Sequence, residues 1–337
     1  MNSTDLKQRS QSWDILKLLL IFLVVLGHMA DYYTNKCESM RALYLFLYTF
    51  HMPVFFFVSG LFAKRTINEK RKEKIFGYLI LFLFMKAIEF SLKMIDGQNP
   101  QFRLFYGDGF SWYLLVLALS VMITMLIKNI SPKFVLIFSV FLACFAGFDN
   151  SLGSFLSLSR LIVLYPFFFL GYCLERNTVE EFFSKKILKA AAPIIILLFG
   201  IVVFTKSEDI YWLRPLVTGT CSFHEIGVDS LMGAVIRLLY YLVVLLVGGS
   251  VIALIPQKNK LGTAAKFGQR TLSVYVFHYI ILFLLFNKLN VISFFESIIP
   301  RYSEWMIIPL SVVTTVLLSF KPLNDFLIKI MNVPLKD

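Results

Sequence analysis

Three of the four histidines, His28, His51 and His278, lie within long apolar runs, where an ionisable side chain is costly to hold. An imidazole, with an ordinary pKa of about 6.5, takes or gives a proton near neutrality, so acid–base or nucleophilic work is the chemistry these residues offer. Lys17 and His28 are separated by a spacing that, on an α-helix, returns them to within about 20° of one line and about 16 Å apart along the axis. Asp14 and Asp31 fall within about 60° of that line, so one face of the first apolar run is a polar stripe. Asp14 and Lys17 can also simply pair at its mouth. His51 stands two residues before Pro53. The missing proline N–H frees the Thr49 carbonyl, and a local opening that exposes the imidazole to an interior cavity is expected. His278 shares a face with Tyr275, and an interhelical hydrogen bond explains that pair as readily as chemistry does. Lys86, Glu89 and Lys93 make a second charged stripe; pairing along the helix is the simpler reading, and lining a cavity for an anionic group is the other. Arg160 and Arg237 sit near the ends of apolar runs, where snorkelling can satisfy them.

The chain has no GxSxG elbow, phosphate loop, GxGxxG or HExxH motif, so catalysis would have to come from the histidines. Cys37, Cys144, Cys173 and Cys221 show no metal-binding spacing, and no metal is expected. A disulfide between Cys37 and Cys221 stays open, with unpaired thiols the preferred reading.

The elements that must position these residues are membrane helices. Of the 337 residues 58% are hydrophobic and 16% charged, against about 25% charged in ordinary soluble domains; mean hydropathy is +0.74. Ten spans are predicted, at Ile15 to Tyr33, Ala42 to Ala63, Ile75 to Ile95, Phe110 to Ile127, Phe134 to Phe148, Ser159 to Leu174, Ile187 to Phe204, Leu231 to Ile255, Leu272 to Leu289 and Trp305 to Phe320. The fifth, sixth and tenth are short or interrupted. The expected fold is an all-α polytopic transmembrane helix bundle of about ten spans, one domain over residues 1–337 with no soluble domain.

The formal charge is +12, and with the N-terminus inside, Lys and Arg favour the cytoplasmic segments by about two to one. The basic balance is thereby explained by topology, with both termini cytoplasmic and no nucleic-acid partner. The first run lacks a cleavage site and should remain as a span. The longest outer segment, Thr205 to about Ser230, either caps a cavity or packs as a surface loop. No internal repeat of the transporter kind is visible.

Two stretches carry a family resemblance. Ser12-Trp13-Asp14-Ile15-Leu16-Lys17 continuing to Val24-Val25-Leu26-Gly27-His28, and Phe50-His51-Met52-Pro53 continuing to Ser59-Gly60, resemble the integral-membrane acyltransferase family three, in particular its fucose 4-O-acetylase-like branch. Weaker echoes are Trp112-Tyr113-Leu114, Tyr165 to Tyr172, and Gly268 through Thr271, Tyr275 and His278. The resemblance implies a bacterial cytoplasmic-membrane enzyme that takes an acyl group from cytoplasmic acyl-CoA, acetyl-CoA above all. The implied acceptor is a carbohydrate hydroxyl of a surface polysaccharide or its lipid-linked precursor. It further implies His28 as general base or acyl relay, with Lys17 and Asp14 on the donor side. His51 is assigned to orientation or proton shuttling, and His278, Tyr275, Lys86, Glu89 and Trp112 to substrate contact or support. Lys17 stands where the family has a basic residue, commonly Arg, keeping the charge without the bidentate fork. A transporter or flippase for a glycolipid or small polar solute is the rival reading, and a structural subunit of an export complex a second.

Overall fold

The computed structural model describes residues 11–107, 109–149, 155–220, 222–256 and 262–332. The described chain is helical from end to end: α1 Gln11–Asp31, α2 Glu38–Asn68, α3 Lys72–Ile95, α4 Trp112–Ile127, α5 Pro132–Phe145, α6 Leu158–Cys173, α7 Arg176–Ser184 and α8 Lys186–Thr205. There follow α9 Ser207–Ile210, α10 Arg214–Thr218, α11 Ser230–Leu254, α12 Gly262–Gly268, α13 Thr271–Leu282, α14 Val291–Ile298, α15 Ile307–Leu318 and α16 Lys321–Met331. It is an all-α bundle, and each of the ten predicted spans falls on a helix.

Among the described residues six helices are long and apolar enough to cross a membrane, or up to eight if each of two bent pairs is one span. The pairs are α6 with α7, bent by 95°, and the segment Ser303–Leu318 with α16, bent by 60°. The breaks fall where apolar sequence gives way to Glu175-Arg176 and to Lys321-Pro322. The fourth and fifth predicted spans are shorter helices of 16 and 14 residues, fewer than the about 20 needed to cross the hydrocarbon. Cys221 lies outside the described residues, so the Cys37–Cys221 pairing is not addressed.

The bundle has an apolar core and an apolar exterior as well. Large apolar residues of α8 such as Ile187, Ile194, Leu197 and Leu198 face outward, while Asp14, His51, Lys86, Glu89, Arg237 and His278 are buried. Close crossings organise the interior. A Cβ on Gly60 would lie 1.9 Å from the Phe168 carbonyl oxygen, and one on Gly171 would lie 2.0 Å from that of Phe57. Helices α2 and α6 therefore touch backbone to backbone. Gly268 brings α12 equally close to α1, where a Cβ would lie 1.7 Å from the Asp14 carbonyl oxygen.

Candidate active site

His28, one turn from the end of α1, is the centre of an aromatic cluster. The His278 ring from α13 lies parallel to it, within 25°, with centroids 5.3 Å apart. Phe110, just before α4, packs its ring 4.4 Å from His28 and 5.3 Å from His278. Tyr48 of α2 places its hydroxyl 3.0 Å from His28 Nδ1. A carbonyl can only accept, so His278 Nδ1–H donates to the Tyr275 carbonyl at 2.7 Å, which leaves Nε2 with its lone pair.

His51 is held in the same way, its Nδ1 donating to the Leu47 carbonyl at 2.6 Å. That bond lays the ring against its own helix and behind Tyr48, 4.8 Å from that ring. His51 is 2% exposed and lines neither of the two cavities that share Met52, so Pro53 does not open it to the interior as expected.

The first of those cavities, about 340 Å³, is lined by His28, Asp31, Tyr48, Trp112, Arg160 and Arg214 among others. The Arg160 guanidinium stacks 4.7 Å over Trp112 and donates to the Gly107 carbonyl at 3.0 Å. Arg214 donates to Asp31 Oδ1 at 2.7 Å and sits 4.6 Å over Tyr44. Burial works against the Arg214 charge, yet Tyr44, Asp31 and Tyr211 together hold its pKa above the ordinary arginine value. The segment from Arg214 to Thr220 forms one wall, so the long segment between α8 and α11 does cap a cavity. It is pinned at three carbonyls, by Arg237 to Leu216 at 2.7 Å, Tyr240 to Val217 at 3.4 Å and Ser159 to Gly219 at 2.8 Å. Arg237 is 1% exposed and does not snorkel.

A second cavity of about 120 Å³ lies toward the other end of α1, lined by Ile21, Val24, Tyr78, Tyr113, Thr271 and Tyr275 among others. Ile21 and Val24 share the helix face that carries Lys17 and His28, so this cavity occupies the stretch of α1 between the charge and the imidazole. Met52 lines both cavities. A third, apolar pocket of about 330 Å³ between α2, α6, α7 and α11 has no ionisable lining residue.

Lys17 and Asp14 do not reach the histidines. They pair with each other at 2.7 Å, Gln269 donates to Asp14 at 3.2 Å, and the Lys17 ammonium lies 5.2 Å from the Phe62 ring. Lys86 and Glu89 line a small pocket of about 50 Å³ with Lys93 and Arg103. Glu89 accepts hydrogen bonds from the backbone N–H groups of Phe110 and Ser111.

Such an arrangement suits acyl transfer: a base-competent imidazole, a polar cavity with aromatic faces and guanidinium groups on one side, and a narrower neutral cavity on the other. Residues 10–321 match the family described as "Acyltransferase domain", acyltransferase family three. The chain belongs to this family. As a member of acyltransferase family three with several apolar helices long enough to span, it is a multi-pass membrane protein. It is 29% identical over 196 residues to the "Nodulation protein NolL" of Sinorhizobium fredii, a match covering 53% of this chain and 52% of that protein. The chain thus spans about half the length of the curated relative it matches. No solved structure matches it.

Tyr48, Phe110, Arg160 and Arg214 were not singled out by sequence as site residues. Tyr48 carried a signal, standing three residues before His51 on the motif-bearing helix, and Arg214 lay in the outer segment expected to cap a cavity or pack at the surface; Phe110 carried none.

Proposed function

We propose that this protein is a membrane-embedded O-acyltransferase that moves an acyl group, most simply acetyl, from cytoplasmic acyl-CoA to a carbohydrate hydroxyl presented on the opposite side. The observation that carries the reading is the place of His28, in the wall of a polar cavity that shares Met52 with a smaller neutral one. The membrane is the bacterial cytoplasmic one, with both termini inside, a reading supported by the bias of Lys and Arg. The acceptor belongs to a surface glycan or its lipid-linked precursor, a reading supported by a cavity wall in which Arg160, Arg214 and Asp31 offer hydroxyl groups partners among the aromatic side chains Trp112, Tyr44 and Tyr48.

Acyl-CoA supplies the activated thioester. Lys17, one turn before Ile21 of the second cavity on the same face of α1, attracts the anionic end of that donor. His28 Nε2 takes the proton of the acceptor hydroxyl as its oxygen bonds to the acyl carbon, and returns it to the departing thiolate, so an ester forms as the thioester breaks. Tyr48 orients the ring from Nδ1, and His51 acts behind it. His278 and Tyr275 support His28 from α13.

The test is incubation of the protein in lipid nanodiscs with radiolabelled acetyl-CoA and a surface-glycan extract, wild type beside His28→Ala. Label in glycan with wild type alone is the expected result. No CoA release across several donors and acceptors would transfer the assignment to a transporter, and a trapped acyl–His28 adduct would replace direct base catalysis by a covalent relay.

A further inference from the structure

Glu89 lies on α3, which carries no histidine, yet it is tied directly to the roof of the site. Glu89 is 5% exposed. One oxygen, Oε1, accepts the amide N–H groups of both Phe110 and Ser111 at 2.7 Å, and Ser111 Oγ lies 3.4 Å from the other. These residues form the entry to α4, whose Ser111 makes no side-chain cap of its own. The cap therefore comes from across the bundle, a negative charge against the positive end of a helix.

The approach is possible because residue 109 is glycine. Gly109 adopts φ +85°, and a Cβ there would come within 2.7 Å of Glu89 Oε2. From the other side Tyr275 Oη donates to the Phe110 carbonyl at 2.5 Å. Phe110 is thus held through its N–H by α3 and through its C=O by α13, and its ring is the one against His28 and His278.

We infer that Glu89 is a positioning residue for His28: by capping α4 it presses Phe110 onto the imidazole, fixing the ring's orientation and closing that face to water. Its catalytic consequence rests on the acyltransferase reading; the clamp itself does not. Charge-assisted bonds to two amides exceed what Gln could replace, because Gln offers one neutral oxygen.

The test measures carbethoxylation of His28 by diethyl pyrocarbonate, followed by mass spectrometry on protein in nanodiscs, with exposed His224 as the internal reference. Glu89→Gln and, from the opposite direction, Gly109→Ala should each label His28 about tenfold faster with His224 unchanged, as expected for loss of a charged hydrogen bond. In turnover, Glu89→Gln should lower kcat about tenfold with the donor KM within about twofold. Combined with Phe110→Leu it should cost nothing beyond Phe110→Leu alone, since the effect passes through that ring. Unchanged His28 labelling in Glu89→Gln, or losses that multiply in the double variant, would overturn the inference. Labelling that follows the expectation in protein that consumes no acyl donor keeps the clamp and removes the acyltransferase reading.

Discussion

The Tyr48 hydroxyl stands 3.0 Å from Nδ1 of His28 and joins α1 to α2 at the centre of the site. Tyr44 backs it, with ring centroids 3.8 Å apart. Gly27 makes room for it, since a Cβ there would meet the Tyr48 ring at 2.9 Å. Tyr48→Phe keeps the packing and removes the bond to the imidazole, so kcat should fall about tenfold while the donor KM changes by less than about twofold. Rates of CoA release across donor concentrations check this; an unchanged kcat would leave Tyr48 a packing residue.

Asp31 and Arg214 are about one-third exposed at 35% and 34%, so their ion pair adds little to stability, about 1 kcal/mol or less. Its effect belongs to the cavity wall. Asp31→Asn should raise the acceptor KM by about three- to tenfold without changing the donor KM or the unfolding midpoint measurably. An unaltered acceptor KM would place the acceptor elsewhere.

Arg237 is buried and holds the Leu216 carbonyl. Arg237→Met keeps much of the side-chain volume and leaves that carbonyl without its donor, at a cost of about 1–3 kcal/mol. The segment from Arg214 to Thr220 should become more susceptible to limited proteolysis and the acceptor KM should rise, while His28 labelling stays as in wild type.

Met52 separates the two cavities, and its thioether is flexible enough to yield to a passing group. Met52→Ala should widen the junction and let water reach the thioester. CoA release in the absence of acceptor should rise about severalfold relative to transfer. A hydrolysis-to-transfer ratio equal to wild type would separate the cavities functionally.

The helices were legible in their apolar runs, and each predicted range falls on one, but six of the described helices, or up to eight with the bent pairs, are long and apolar enough to cross, against the ten spans predicted. The 95° break after Cys173 was not legible: a hydropathy pattern registers Glu175-Arg176 as an ending but not the direction in which the chain continues. Within the site, helical spacing aligned Lys17 and His28 on one face, with Asp14 and Asp31 near it. It could not say that the facing element would be Phe110, because contacts between helices are set by packing and periodicity describes one helix at a time. His51 shows the same limit: the proline beside it was visible, whereas the bond to Leu47 that turns the ring aside is a choice of rotamer. Glu89 read as part of a charged stripe, since neither its backbone partners nor the left-handed Gly109 that admits it has a signature in charge patterning.

The crossing of α2 and α6 restricts where motion can occur. At Gly60 and Gly171 each helix rests on a carbonyl of the other with no side chain between, so there is no rotamer to adjust and no slack to take up; inserting a methyl by Gly171→Ala should cost about 1–3 kcal/mol and lower the yield of monodisperse protein. His51 on one helix and Arg160 on the other are therefore parts of one stiff frame. Whatever admits a bulky acceptor has to be a displacement of the pieces hung on that frame, the segment from Arg214 to Thr220 and the entry to α4, and the route in and out of the site is decided by the joints that hold those two pieces.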